Sequence, residues 1–258
     1  MSNGNVRLSI DSGIASIVID RPEARNAMTW SMYDALAAAC DTLGSNSSVR
    51  VATVRGTGGQ AFVSGTDIEQ FREFGGEEDG VHYEAAVERY VAKLEALPFP
   101  TLAIIDGYAL GGGLALAAAC DFRIATPSAS FGVPIARTLG NCLSAANVAR
   151  LLASFGADRV TRMLMLAENI KAEEAEACGF VYEIVAPDQL DARARELCGK
   201  LAAHAPLTMK AAKETIRRII ADALPSNEDL IRECYGSHDF RLGMEAFLGK
   251  KKPVWTGT

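Results

Sequence analysis

Three consecutive glycines, Gly111, Gly112 and Gly113, stand between an apolar run, Thr101 to Ile105, and an alanine-rich stretch that continues to Ala119. Read as strand, turn and helix, the pattern puts glycine where a helix opens. Glycine there lets backbone and ligand approach closely, and the first N–H groups of a helix have no internal partner and carry partial positive charge. Such a terminus can hold an oxygen that becomes negative. Gly65-Thr66-Asp67-Ile68 offers the same chemistry, with Thr66 supplying an N–H at the start of a helical stretch. Asp67 would also serve there as a plain cap. Together the two termini can aim two N–H groups at one oxygen, the donor pair expected for a thioester carbonyl becoming an enolate. Leu114, Ala115 and Leu116 are apolar, so no acid or base directly follows the glycines.

The elements that must position these segments follow from periodicity and punctuation. Val6 to Ile10 and Ile14 to Ile19 flank Asp11-Ser12-Gly13 as a hairpin. Thr29 caps a helix that runs to about Leu43, before Gly44. Val49 to Arg55 reads as a strand, Gly56 to Gly59 as a turn, and Ala61 to Val63 as a short strand. Residues 67–74 read as helical, Gly75 to Gly80 as a mobile acidic loop, and Val81 to Leu97 as a helix. Phe122 to Ala125 is another short strand. Beyond about residue 145 the pattern is helical at 145–154, 158–167, 171–177, 188–203, 206–222, 227–235 and 237–249, with one strand at Val181 to Val185. The expected fold class is α/β, with a body over 1–200 and a helical region over 201–258. That region must bury its apolar stripes on the body or on another subunit.

Composition excludes several classes. The 258 residues are 49% hydrophobic and 22% charged with a net charge of −6, which fits a globular protein and disfavours a nucleic-acid surface. Leu102 to Ala119 is interrupted by Asp106 and three glycines, and reads as a buried strand and helix rather than a membrane span. Met-Ser-Asn-Gly-Asn at the start lacks the features of a signal peptide. Six scattered cysteines without a CxxC pair, and three distant histidines, give no zinc spacing. They fit reduced thiols in a cytoplasmic protein. Gly56 to Ala61 matches GxGxxA but runs into Phe62-Val63 rather than a helix, so a dinucleotide site is not expected. No GxSxG elbow is present.

Taken in order, these segments resemble the enoyl-CoA hydratase/isomerase (crotonase) superfamily nearly end to end. Arg21-Pro-Glu-Ala-Arg-Asn-Ala27 is similar to an early loop that contacts coenzyme A, Ala61 to Ile68 to a first oxyanion segment, and Asp106 to Gly113 to a second. Cys120 to Ala125, Phe131-Gly-Val-Pro134, Asp239 to Leu248 and Lys250 to Trp255 come after them at family spacing. The resemblance implies a crotonase-like spiral of ββα units with a helical C-terminal trimerisation region, assembled as a trimer or a dimer of trimers. It implies an acyl-CoA thioester as ligand, with no cofactor beyond the coenzyme A of the substrate. Carried over, the N–H groups of Thr66 and Gly112 form the oxyanion hole. Ala24, Arg25, Ala27, Ser64, Asp67 and Ile68 line the coenzyme A path, while Leu110, Pro134 and Ile135 add to the substrate site. Phe247 and Lys250 reach the adenine or phosphate end, from this chain or a neighbouring subunit.

The departures bear on mechanism. The family's hydratases use two glutamates, at places where this chain has Ala115 and Ile135, and neither side chain transfers a proton. The polar segment after Ile135 holds the candidate replacements: Arg137 to hold an acyl carboxylate, Asn141 to bind a hydroxyl or water, and Cys142 or Ser144 as further candidates. The same segment also reads as a plain cap for the helix from Ala145. Cys142 also reads as a small buried hydrophobe. The expected activity is therefore acyl-CoA processing without the two-glutamate route. A decarboxylase-type reaction, whose loss of carbon dioxide makes the enolate without a base, and a non-catalytic acyl-CoA-binding protein are the alternatives. An RNA-binding relative is disfavoured by the acidic balance.

Overall fold

The computed structural model describes residues 4–222 and 224–258; Met1 to Asn3, part of the segment on which the leader reading rests, lie outside the described residues. β1 (Asn5–Asp11) and β2 (Ile14–Asp20) pair antiparallel as the expected hairpin. Alternation along β2 buries Ala15, Ile17 and Ile19 on one face. α1 (Trp30–Gly44) comes next, and the Thr29 side chain accepts the Met32 N–H at its start. Then come three strand pairs, each leading into helix: β3 (Val51–Gly56) and β4 (Ala61–Val63) before α2 (Glu77–Glu95), β5 (Thr101–Ile105) and β6 (Tyr108–Leu110) before α3 (Gly112–Ala119), and β7 (Phe122–Ala125) and β8 (Ser130–Gly132) before α4 (Ile135–Thr138) and α5 (Ala145–Phe155). The chain continues through α6 (Ala157–Met165), β9 (Ile170–Lys171), α7 (Ala172–Ala177), β10 (Glu183–Ile184), α8 (Leu190–Ala202), α9 (Pro206–Ala221), α10 (Glu228–Gly236) and α11 (His238–Leu248).

The first strand of each pair enters one sheet and the second enters another. The larger sheet runs β1-β2-β3-β5-β7-β10, parallel except for the hairpin. The smaller runs β4-β6-β8-β9, parallel except between β8 and β9. Repeating strand, strand, helix along two sheets winds the chain into the ββα spiral that the resemblance implied. β5 is buried along its whole length, as a central parallel strand covered on both faces must be. One face of the larger sheet packs into the main core; on the other, Val51, Leu102, Ile104 and Ile124 meet Leu190, Ala194 and Leu197 of α8.

The structure departs from expectation in several places. β6 and β8 are three residues each, too short for a periodic signal, and α4 is a single turn. The strand expected over 181–185 narrows to β10. The expected loop over 75–80 ends at Gly76, because Glu77, Glu78 and Asp79 occupy the first turn of α2. Carboxylates there suit the helix dipole, and the Asp79 side chain accepts the N–H groups of Gly75 and Gly76. α10 and α11 cover the body, burying Ile231, Tyr235 and Phe240, whereas α9 buries none of its residues and exposes Leu207, Ile216 and Ile219. Among the described residues, no helix is long and apolar enough to cross a membrane.

Candidate active site

The segment after β2 is tied to the end of β4. Asn26, fully buried, accepts the Arg21 N–H and donates to the carbonyls of Thr57 and Ala61, at 2.8–2.9 Å. The Arg21 guanidinium bonds the Ala27 carbonyl and pairs with Asp67 at 2.7 Å. Asp67 also caps the turn Ile68–Glu73 by accepting the Glu69 N–H. Its carboxylate is thus held from both sides. The Met28–Thr66 bridge uses the Gly65 carbonyl and the Asp67 N–H. Ladder groups alternate in direction along a strand, so the Thr66 N–H points away from Met28.

The Thr66 nitrogen lies beside the start of α3. Gly112 is the first residue of that helix, so its N–H has no helical partner. A β-carbon placed on Gly112 would lie 3.9 Å from the Thr66 nitrogen and 2.6 Å from the Tyr33 hydroxyl oxygen, an approach only glycine permits. The Thr66 hydroxyl anchors this corner. It lies 2.9 Å from the Tyr33 hydroxyl and accepts from the Tyr83 hydroxyl at 2.7 Å. Burial pushes the Tyr33 phenol up to about 12 and raises that of Tyr83, so both stay protonated as hydrogen-bonding groups at neutral pH.

Beside this corner lies a cavity of about 910 Å³. Thr66, Gly112, Ala24, Arg25, Ala27, Ser64, Asp67, Ile68, Leu110, Pro134, Ile135, Asn141, Phe247 and Lys250 all line it, with Phe247 and Lys250 supplied by the same chain. Ala115, Val87, Leu139, Leu143 and Leu151 give it an apolar wall. Three expected residues lie elsewhere. Arg137 is exposed, because the turn of α4 sends Ile135, Thr138 and Leu139 toward the cavity and so turns residue 137 outward. Cys142 faces α10, with its thiol near the Leu230 carbonyl and hydrogen-bonded to Cys234; that bond and burial raise its pKa, which opposes thiolate formation. Ser144 is the cap of α5, accepting the Asn147 N–H. No histidine lines the cavity. Among the described residues, no three His, Cys, Asp or Glu side chains gather as a metal site needs.

One cavity residue escaped the sequence reading. Glu84 of α2 is 2% exposed and faces the cavity. It accepts the Tyr235 hydroxyl and the Ser144 N–H, each at 2.8 Å. Burial raises its carboxyl to about 7. The signal was present: Glu84 shares a helical stripe with Val87, Val91 and Leu94, where an apolar residue is expected.

Known proteins resemble this chain along nearly its whole length. Residues 9–258 match the family model described as enoyl-CoA hydratase/isomerase. The short-chain-enoyl-CoA hydratase of Clostridium acetobutylicum is 32% identical over 256 residues, covering 98% of this chain and 97% of its own. An enoyl-CoA hydratase/carnithine racemase structure from Magnetospirillum magneticum is 32% identical, with a TM-score of 0.80 over 98% of this chain and 96% of that one. A methylmalonyl-CoA decarboxylase bound to 2S-carboxypropyl-CoA shares the fold, with a TM-score of 0.90 at 24% identity and full coverage of both chains. The chain belongs to the enoyl-CoA hydratase/isomerase family, the crotonase superfamily.

Proposed function

We propose that this chain is an enzyme that binds an acyl-CoA thioester and holds its carbonyl oxygen between the N–H groups of Thr66 and Gly112 while that oxygen gains enolate charge. The observation that carries the reading is the nearness of the Thr66 nitrogen to Gly112, the first residue of α3, at the edge of a large cavity. Donors fixed in the backbone need no rearrangement as charge develops, which is why such pairs stabilise transition states strongly. Arg25 and Lys250 supply positive charge along the cavity, where the phosphates of coenzyme A would lie. The reading asks for no cofactor beyond that coenzyme A. Ala115 and Ile135 cannot move protons, so two-glutamate hydration of an enoyl-CoA is not the expected reaction.

The apolar wall at Ala115, Ile135 and Leu143 favours a second reading, a decarboxylase-type reaction, since an apolar surface disfavours a substrate carboxylate and favours neutral carbon dioxide. A non-catalytic acyl-CoA binder is the third. Purified chain titrated calorimetrically with acetyl-CoA, then assayed with crotonyl-CoA and carboxylated acyl-CoAs, separates them. Hydration of crotonyl-CoA at an ordinary enzymatic rate would sink the expectation drawn from Ala115 and Ile135. Binding without turnover of any thioester would leave the binder. The exposed apolar residues of α9 are assigned to contacts between copies, as a trimer or a dimer of trimers. Sedimentation as a monomer at micromolar concentration would refute that assignment.

A further inference from the structure

Tyr235 and Glu84 meet where α10 crosses α2. The crossing is close because residue 80 is glycine: a β-carbon there would fall 2.2 Å from the Tyr235 ring. Asn141 donates to the Tyr235 hydroxyl at 3.0 Å, and that hydroxyl donates to Glu84. Only hydrogen-bond donors hold the carboxyl, and no ion pair reaches it among the described residues. Its surroundings carry no compensating cation. Within electrostatic reach are Glu88 and Tyr83 on its own helix, Tyr33 on α1, Tyr235 on α10 and Cys142 in the segment before α5. Arg150 of α5 is engaged by Glu88 and Glu95. A carboxyl buried without an ion pair costs stability. The Asn141 carbonyl oxygen is also buried in this wall without a protein donor, an acceptor open to a ligand group.

Resting on the enolate reading above, we propose that Glu84 is the proton-transfer residue of this site, standing where neither Ala115 nor Ile135 can act. As a carboxylate, Glu84 takes a proton from the carbon next to the thioester carbonyl. The C–H pair forms the enolate double bond, and the carbonyl π pair moves to the oxygen held by Thr66 and Gly112. Neutral Glu84 then returns the proton to that carbon, so no further reactant is consumed. A carboxyl raised to about 7 is matched to accept and donate near neutrality.

The test is exchange of the α-protons of saturated acyl-CoA thioesters, from acetyl to octanoyl, in deuterated buffer, read by mass spectrometry. The wild-type rate should climb with pH up to about 7 and level above it. Glu84→Gln should lower it by about 100-fold or more while leaving the calorimetric dissociation constant unchanged. Tyr235→Phe, which removes a hydrogen bond to the carboxylate, should move the pH midpoint upward. It also decides the matter if the glutamine variant does not fold. Wild-type exchange rates in Glu84→Gln, or an unmoved midpoint in Tyr235→Phe, would overturn the role of Glu84 and leave the enolate reading standing. Absence of exchange in the wild-type protein with every thioester would overturn the role of Glu84, and absence of both exchange and decarboxylation of carboxylated acyl-CoAs would overturn the enolate reading as well.

Discussion

The two sides of the cavity are made of different material. The proposed oxyanion corner is backbone: Thr66 and Gly112 would each act through an N–H fixed by a short contiguous segment. Another part of the lining is side chains: Glu84 from α2, Asn141 from the segment after α4, Asn147 from α5, and beyond them Tyr235 from α10. A backbone donor survives almost any substitution at its own position, whereas each wall group is lost by one. Under the proposed function, the corner would keep polarising thioesters while the wall sets the fate of the enolate. This contrast explains how a chain with Ala115 and Ile135 retains the complete corner.

The largest expected effect attacks the corner. Gly112→Pro removes the donor at the first helical position, where no helical hydrogen bond is lost, and turnover of a true substrate should fall by about 10²–10³-fold. Gly112→Ala is the control, since it adds the same β-carbon but keeps the N–H. Equal losses in the two variants would mean crowding of Tyr33, not a missing donor.

Next comes the wall. The Glu84 carboxyl is raised from 4.5 to about 7 by burial, so the folded state binds the proton more tightly than the unfolded one. Stability is then greatest below the unfolded value and declines as pH rises through about 7, by roughly 3 kcal/mol. Urea midpoints on either side of that window should show the decline in the wild type, and Glu84→Gln should remove most of it. A smaller loss belongs to the corner's support: Thr66→Ala leaves two buried phenols short of a partner and should cost about 1–3 kcal/mol in urea melts. It should slow turnover less than Gly112→Pro, because the N–H remains. Smallest is Lys250→Ala, which should weaken acyl-CoA binding by about 1 kcal/mol, with a difference that shrinks at high salt.

The corner was legible because its signals are local. Glycines beside an apolar strand, and a capping aspartate after Gly65, announce helix starts within a few residues. The hairpin, α1 and the central strands were legible for the same reason. β6 and β8 were not, since their pairing is set by neighbours far along the chain rather than by three-residue patterns. Arg137 adjoins cavity residues in sequence but not in space, because one turn of α4 carries it to the opposite side. Glu84 and Tyr235 are 151 positions apart, and no spacing rule joins them. The only local sign of that pair is a lone carboxylate on an apolar stripe.

Tyr83 and Glu84 are consecutive on α2, one bonded to Thr66 and the other lining the cavity with Tyr235 and Ser144 bonded to it. A helix moves as a stiff rod, so any displacement along its axis shifts both contacts by the same amount. The oxyanion corner and the acyl wall are thus ganged to a single shaft. A ligand or neighbouring subunit that pushed on α2 would detune both sides of the cavity at one stroke.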